Sequence, residues 1–124
     1  MILSIDTSCD ETAAAVVSGR RVLSNVIYSQ VLLHKKWGGV VPSIAKRAHE
    51  ERIDWVIEET IKKFQILNSK SQKNSKLKIK NSKHLDFKHI NYIAITIGPG
   101  LAPALEVGIK KAKELAEKFN KKII

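Results

Sequence analysis

The feature that most limits how this chain can fold is a change of hydrophobic period near Pro42. Before it, apolar residues come in short runs: ILSID at residues 2–6, Ala13 to Val17, and Val22 to Ser29, broken by the polar stretch TSCDET and by Ser18-Gly19-Arg20. Short apolar runs bounded by turn residues predict three strands joined by tight connections. From Pro42 to Phe64, Ile44, Ala48, Ile53, Val56, Ile57, Ile61 and Phe64 follow a helical spacing, which predicts an amphipathic helix of roughly six turns with Pro42 in its first turn. Ile90 to Ile97 (INYIAITI) is β-branched and apolar at nearly every position, as a strand covered on both faces would be. It ends in Gly98-Pro99-Gly100, and a second helix follows with Leu101, Leu105, Ile109, Ala112, Ala116 and Phe119 on one stripe. The order β-β-β-α-β-α makes this an α/β chain. Lys121-Lys122-Ile123-Ile124 reads as the opening of a further strand, and a half-strand with open backbone groups leads us to expect that the 124 residues are the N-terminal part of something longer.

Charge matters next, because 22 basic against 12 acidic residues give a formal +10, which invites a nucleic-acid partner. Seven lysines and one acid, Asp86, fall between Asn68 and Lys88, which leaves the other 103 residues at +4. That segment, rich in Lys, Ser and Asn, is expected to be a loop or disordered insertion: an electrostatic arm for RNA or, more simply, a solvated linker, since it lacks interleaved aromatics and arginines. The single cysteine, Cys9, excludes an internal disulfide and fits a reducing compartment. No run approaches the ~18 apolar residues of a membrane helix, and MILSIDTSCD has no basic start or cleavage site, so the expectation is a cytoplasmic, unprocessed chain with no membrane partner.

Two stretches carry candidate chemistry. Asp6 closes the first apolar run, where a carboxylate needs a partner; Thr7 and Ser8 add hydroxyls and backbone N–H groups at a turn able to hold an anion. Asp10 and Glu11 follow as adjacent carboxylates suited to Mg²⁺ or to general acid and base work. The same residues allow a plainer reading, in which Asp6 closes a hydrogen-bonded turn and Asp10-Glu11 is a solvated loop tip. Gly98 and Gly100 sit at a strand-to-helix junction that offers a helix N-terminus to an anion or nucleotide, or is only a tight turn; it matches neither the dinucleotide fingerprint nor a P-loop. Gly38-Gly39 would let a loop fold over a cleft, or is equally only a turn. Cys9 reads as inert packing unless a base such as His49 approaches it. His34, His49, His84 and His89 show no metal-ligand spacing; His34 and His49 read as surface residues, although they flank Gly38-Gly39, and Trp37 and Trp55 read as packing.

ILSIDTSCDETAAAVV, VLSNVIYSQVLLHKKWGGVVPSIAKRAHEERIDWVIEE and INYIAITIGPGLAPALEVGIKKAKELA resemble, in order and spacing, the N-terminal part of the tRNA adenosine threonylcarbamoyltransferase family, once called O-sialoglycoprotein endopeptidase. The resemblance covers nearly everything except 68–88 and rests on S-C-D-E-T, the H-x-x-x-G-G-V-V-P stretch from His34 to Pro42, and G-P-G-L. It implies a ribonuclease H-like, actin-like ATPase fold of the sugar-kinase and heat-shock ATPase type, of which this chain would be the incomplete first lobe. It also implies transfer of the threonylcarbamoyl group from threonylcarbamoyl-adenylate to the adenosine next to the anticodon in tRNAs reading codons that begin with A. On that reading Asp6, Thr7, Ser8, Gly98 and Gly100 bind substrate or nucleotide, and Asp10 and Glu11 are the acidic pair that orients the donor or handles the proton of the amine. The family's iron or zinc ion is held by an H-x-x-x-H pair expected beyond Ile124, so no metal ligand is expected here and this segment alone should be inactive. Implied partners are tRNA and either a smaller non-catalytic paralogue with an ATPase subunit, if bacterial, or a kinase-containing complex, if archaeal or eukaryotic. Two rivals remain: the non-catalytic paralogue itself, and a basic RNA-binding module. No nucleophile-base pair supports the endopeptidase name.

Overall fold

The computed structural model describes residues 1–71 and 86–124. Among them, β1 (Ile2–Asp6), β2 (Glu11–Ser18), β3 (Arg21–Ser29), β4 (Tyr92–Ile95) and β5 (Lys122–Ile123) form one sheet in the order β3-β2-β1-β4-β5. β2 runs antiparallel to β1 and β3, whereas β1, β4 and β5 are mutually parallel. The expected strands and their tight turn at Gly19-Arg20 are present, and the C-terminal Lys-Ile pair does join the sheet beside β4.

The helical part is longer than the apolar spacing suggests. A one-turn helix α1 (Val31–His34) and a 3-10 turn (Lys35–Trp37) precede α2 (Pro42–Ser71), which does not stop at Phe64. Past Phe64 the helix continues through Gln65, Ile66 and Leu67, residues of good to moderate helix propensity, without further buried apolar positions to announce it. It therefore enters the lysine-rich stretch, and at the far end of that stretch Phe87 is buried and stacks on Phe119 with ring centroids 4.0 Å apart. The part expected to be a loop, residues 72–85 including His84, lies outside the described residues. α3 (Ala102–Phe119) closes at Asn120 in the left-handed region, with Lys121 N–H bonded to the Ala116 carbonyl.

Period two along the strands decides where the core lies. Leu3 and Ile5 of β1, Ala14 and Val16 of β2, Val26 of β3 and Ile93 of β4 share one face, and Ile53, Val56, Ile57, Ile61, Val107, Ala112 and Leu115 of α2 and α3 pack on it. Lys111 of α3 ties the helices together through Asp54 of α2 at 2.9 Å. Ile2, Ser4, Ala13, Ala15, Val17, Ile27, Tyr92 and Ala94 point the other way, and no described element covers them. This corrects the reading of β4 as covered on both faces: Ile93 is buried, but Tyr92 is 41% exposed and Ile97, beyond the strand, 76%.

Candidate functional site

The parallel strands β1 and β4 lie side by side, so the turns that leave their C-terminal ends meet. In an open α/β sheet that is where ligands are held. Asp6 ends β1 and folds back on its own turn: Oδ1 accepts from the Ser8 N–H at 3.1 Å and Oδ2 from the Ser8 hydroxyl at 3.3 Å. The plainer reading of Asp6 as a turn-closing carboxylate thus describes what its side chain does here. Thr7 points the opposite way and is fully buried. Its hydroxyl donates to the Ala104 carbonyl at 2.8 Å and accepts from the Gly108 N–H at 3.2 Å, fastening the turn to α3. Both hydroxyl functions are therefore spent inside the protein.

The Gly98–Gly100 junction approaches the same turn. Leu101 N–H donates to the Ser8 carbonyl at 2.7 Å. A Cβ added to Gly100 would lie 2.5 Å from that carbonyl oxygen and 2.9 Å from the Ser8 Cβ, so only glycine permits the approach. The Gly98-Pro99 peptide is cis. The start of α3 offers fewer anion donors than a bare helix N-terminus: Leu101 N–H is used, Pro103 has none, and Ala104 and Leu105 donate to the Leu101 carbonyl. Gly100 and Ala102 N–H have no hydrogen-bond partner among the described residues.

Asp10 and Glu11 stand at the outer side of the turn, both half-buried. A hydrogen bond with the Asp10 side chain, followed by desolvation and the Asp10 charge, raises the Glu11 carboxyl above its ordinary range; the Ser29 hydroxyl, 3.5 Å away, acts in the opposite sense. The neighbouring carboxylate thus raises the proton affinity of Glu11, a property useful for taking up a proton. Cys9, exposed rather than packed, has its thiol pushed up by desolvation and then by a hydrogen bond to Asp10. It stays protonated and lacks the character of a nucleophile.

The histidines depart most from expectation. His34 and His49 are not on the surface: they are 3% and 0% exposed. His49 Nε2 is 3.0 Å from the Cys9 carbonyl and Nδ1 is 2.7 Å from the Thr12 hydroxyl. A carbonyl only accepts, so Nε2 carries the proton and Nδ1 receives the Thr12 O–H. His34 repeats the pattern, with Nε2–H donating to Gln30 Oε1 at 3.0 Å and Nδ1 accepting the Val41 N–H at 3.3 Å, while Gln30 Nε2 donates to Ala45 O at 3.4 Å. This network pins the Gly38-Gly39 loop to the start of α2. Periodicity missed it because a histidine inside an apolar helix stripe looks like an interruption of the stripe, not a part of it. Trp37 and Trp55 are 57% and 48% exposed, so neither packs in the core. Among the described residues no group of three His, Cys, Asp or Glu side chains is placed to hold a metal ion, and both buried imidazoles have their two nitrogens engaged within the protein.

The sheet order and the site at the ends of β1 and β4 define the first lobe of a ribonuclease H-like, actin-like fold. Two solved structures share it, "YeaZ from Pseudomonas aeruginosa" and an uncharacterized protein similar to peptidase YEAZ, also from P. aeruginosa. Their TM-scores are 0.57 and 0.59 at 17% identity, each covering 99% of this chain and 41% of the other. The family model for TsaD, tRNA N6-adenosine threonylcarbamoyltransferase, matches residues 21–72 and 76–124, so the chain belongs to that family. The match continues through most of the lysine-rich segment, which the resemblance had set aside; only 73–75 interrupt it. Curated relatives bearing the same name are 46% identical in Clostridium kluyveri (99% of this chain, 31% of the relative), 45% in Clostridioides difficile (95% and 30%) and 46% in Geotalea daltonii (97% and 30%). The chain thus spans less than a third of the length of these relatives.

Proposed function

We propose that this chain supplies the first lobe of a tRNA adenosine threonylcarbamoyltransferase and, within it, one wall of the reaction site. The observation that carries the reading is the meeting of two sequence-distant turns, sealed by the Leu101 N–H to Ser8 carbonyl bond and by Gly100 against Ser8, beside an acidic pair. In the reaction the exocyclic amine of adenosine attacks the carbamoyl carbon of threonylcarbamoyl-adenylate; a C–N bond forms, the bond to the phosphate oxygen breaks, AMP leaves and the amine loses a proton. The Asp10–Glu11 pair is the acceptor of that proton, and the raised affinity of Glu11 for it suits the task. Asp6 and Ser8 shape the phosphate side together with the Gly98 and Gly100 backbone, and Thr7 contributes by fixing the turn to α3. Positioning of donor and amine supplies most of what this wall contributes.

The tRNA partner is supported by charge placement rather than by net charge. Between Thr12 and His49 there are six basic residues and no acid. Lys35, Lys36, Lys46 and Arg47 lie in the stretch from the 3-10 turn to the first turns of α2, with exposed Trp37 under the Lys36 ammonium at 5.2 Å. An iron or zinc ion, implied by the family, does not fit the described residues, among which no group of three ligating side chains is placed to hold it, and we assign its ligands to the remainder of the full-length protein. The accompanying proteins are a smaller non-catalytic paralogue and an ATPase subunit in a bacterial setting, or a kinase-containing complex in an archaeal or eukaryotic one. The setting is cytoplasmic, consistent with the absence of a helix long and apolar enough to cross a membrane among the described residues. Identity of 45–46% to proteins named as transferases favours the enzyme over the non-catalytic paralogue and over a plain RNA-binding module. The test is transfer of labelled threonylcarbamoyl from its adenylate to tRNA by the full-length protein with its partners. Label on the adenosine beside the anticodon is expected; tRNA binding without transfer would refute the assignment.

A further inference from the structure

Three consecutive carbonyls of the acidic turn are each gripped from a different part of the chain. Ser8 O accepts from Leu101 N–H at 2.7 Å, Cys9 O from His49 Nε2–H at 3.0 Å, and Asp10 O from Gln30 N–H at 2.8 Å. Two of these donors are backbone; His49 is the side chain among them. Its other nitrogen accepts from Thr12, the residue after Glu11, so one imidazole brackets the acidic pair from both sides, before it at Cys9 and after it at Thr12. The ring is fully buried on α2 between Ala45 and Ile53, both buried, where an aliphatic side chain would avoid the cost of burying polar atoms. A polar group kept in such a place specifies geometry.

We infer that His49 is a positioning residue: its neutral Nε2–H form sets the conformation of the Cys9–Thr12 turn and hence the aim of Asp10 and Glu11. The inference rests on the proposed acidic pair only for its catalytic consequence; the grip on the turn is independent of it. Two amide replacements separate the two halves of the bracket. His49→Gln can place an N–H near the Nε2 position and keep the bond to Cys9 O, whereas His49→Asn reaches only the Nδ1 position and keeps an acceptor for Thr12. Thr12→Val removes the second half alone.

The experiment compares these variants in the full-length protein with its partners. It reads Cys9 alkylation by iodoacetamide, quantified on the Cys9 peptide by mass spectrometry, alongside threonylcarbamoyl transfer and the melting temperature. With one bond to the turn lost, His49→Asn is expected to alkylate about tenfold faster and to lose about tenfold in kcat with KM little changed, Thr12→Val to change alkylation about threefold, and His49→Gln to stay within about twofold of wild type. Equal alkylation in all four proteins, or losses in Gln and Asn variants that track only their melting temperatures, would overturn the inference. If His49→Asn does not fold, His49→Leu, which fills the buried site but lacks both bonds, takes its place: faster Cys9 alkylation is expected, and alkylation at the wild-type rate by folded His49→Leu would overturn the inference. Wild-type protein without transfer activity would refute the functional reading, while the alkylation contrast would still settle the role of His49.

Discussion

The two turns that build the site are held by opposite means. The β1–β2 turn is fastened by hydrogen bonds, with Asp6 on Ser8, Thr7 on Ala104 and Gly108, and three carbonyls taken by Leu101, His49 and Gln30. The Gly98–Gly100 junction contributes one such bond and otherwise fits by the absence of a side chain at Gly100. A turn held by many bonds loses them one at a time, whereas a fit by missing atoms fails at once. The acidic pair sits on the turn held by many bonds, and the junction packed against that turn at Ser8 is the one with no room for a side chain at Gly100.

The contrast predicts graded effects. The largest should come from Gly100→Ala, because a Cβ 2.5 Å from a backbone oxygen forces the two turns apart; a loss of about 2–4 kcal/mol in urea denaturation is expected. A loss no greater than that of a surface substitution would show that the junction adapts. Thr7→Val keeps the shape but removes the hydroxyl and with it both bonds to α3, and should cost about 1–3 kcal/mol, with Thr7→Ser restoring most of it. The smallest effect is on pH dependence. Burial lowers the His49 pKa from its ordinary 6.5, outweighing the Cys9 carbonyl bond and the charges of Asp6 and Asp10 that favour the protonated ring; His34 adds to the lowering. Stabilisation from the neutral ring is therefore complete above pH 6.5 and is lost as pH falls through the lower folded value. Wild-type unfolding curves should weaken in that range and those of His49→Gln should be flatter; parallel curves would break this part of the comparison.

Much of the frame was legible in the sequence because it depends on period. Alternation at Leu3, Ile5, Ala14 and Val16 and the spacing of Ile53, Ile57 and Ile61 report burial directly. What escaped was whatever depends on partners distant in sequence. Nothing near Thr7 announces Gly108, and nothing near Cys9 announces His49, 40 residues away. The continuation of α2 past Phe64 was hidden for a related reason: the stripe ends where the helix leaves the sheet, although the backbone goes on. For the site, the acidic pair and both glycines were visible as residue types, but their juxtaposition follows from the parallel pairing of β1 with β4.

The central claim, that the Asp10–Glu11 pair on this turn serves threonylcarbamoyl transfer, is tested most directly by Asp10→Ala with Glu11→Ala in the full-length protein, assayed for transfer to tRNA with folding monitored in parallel. Removal of a general-base pair should reduce transfer by about 100-fold or more while melting temperature and tRNA binding are retained. Transfer at the wild-type rate by the folded double variant would contradict the account.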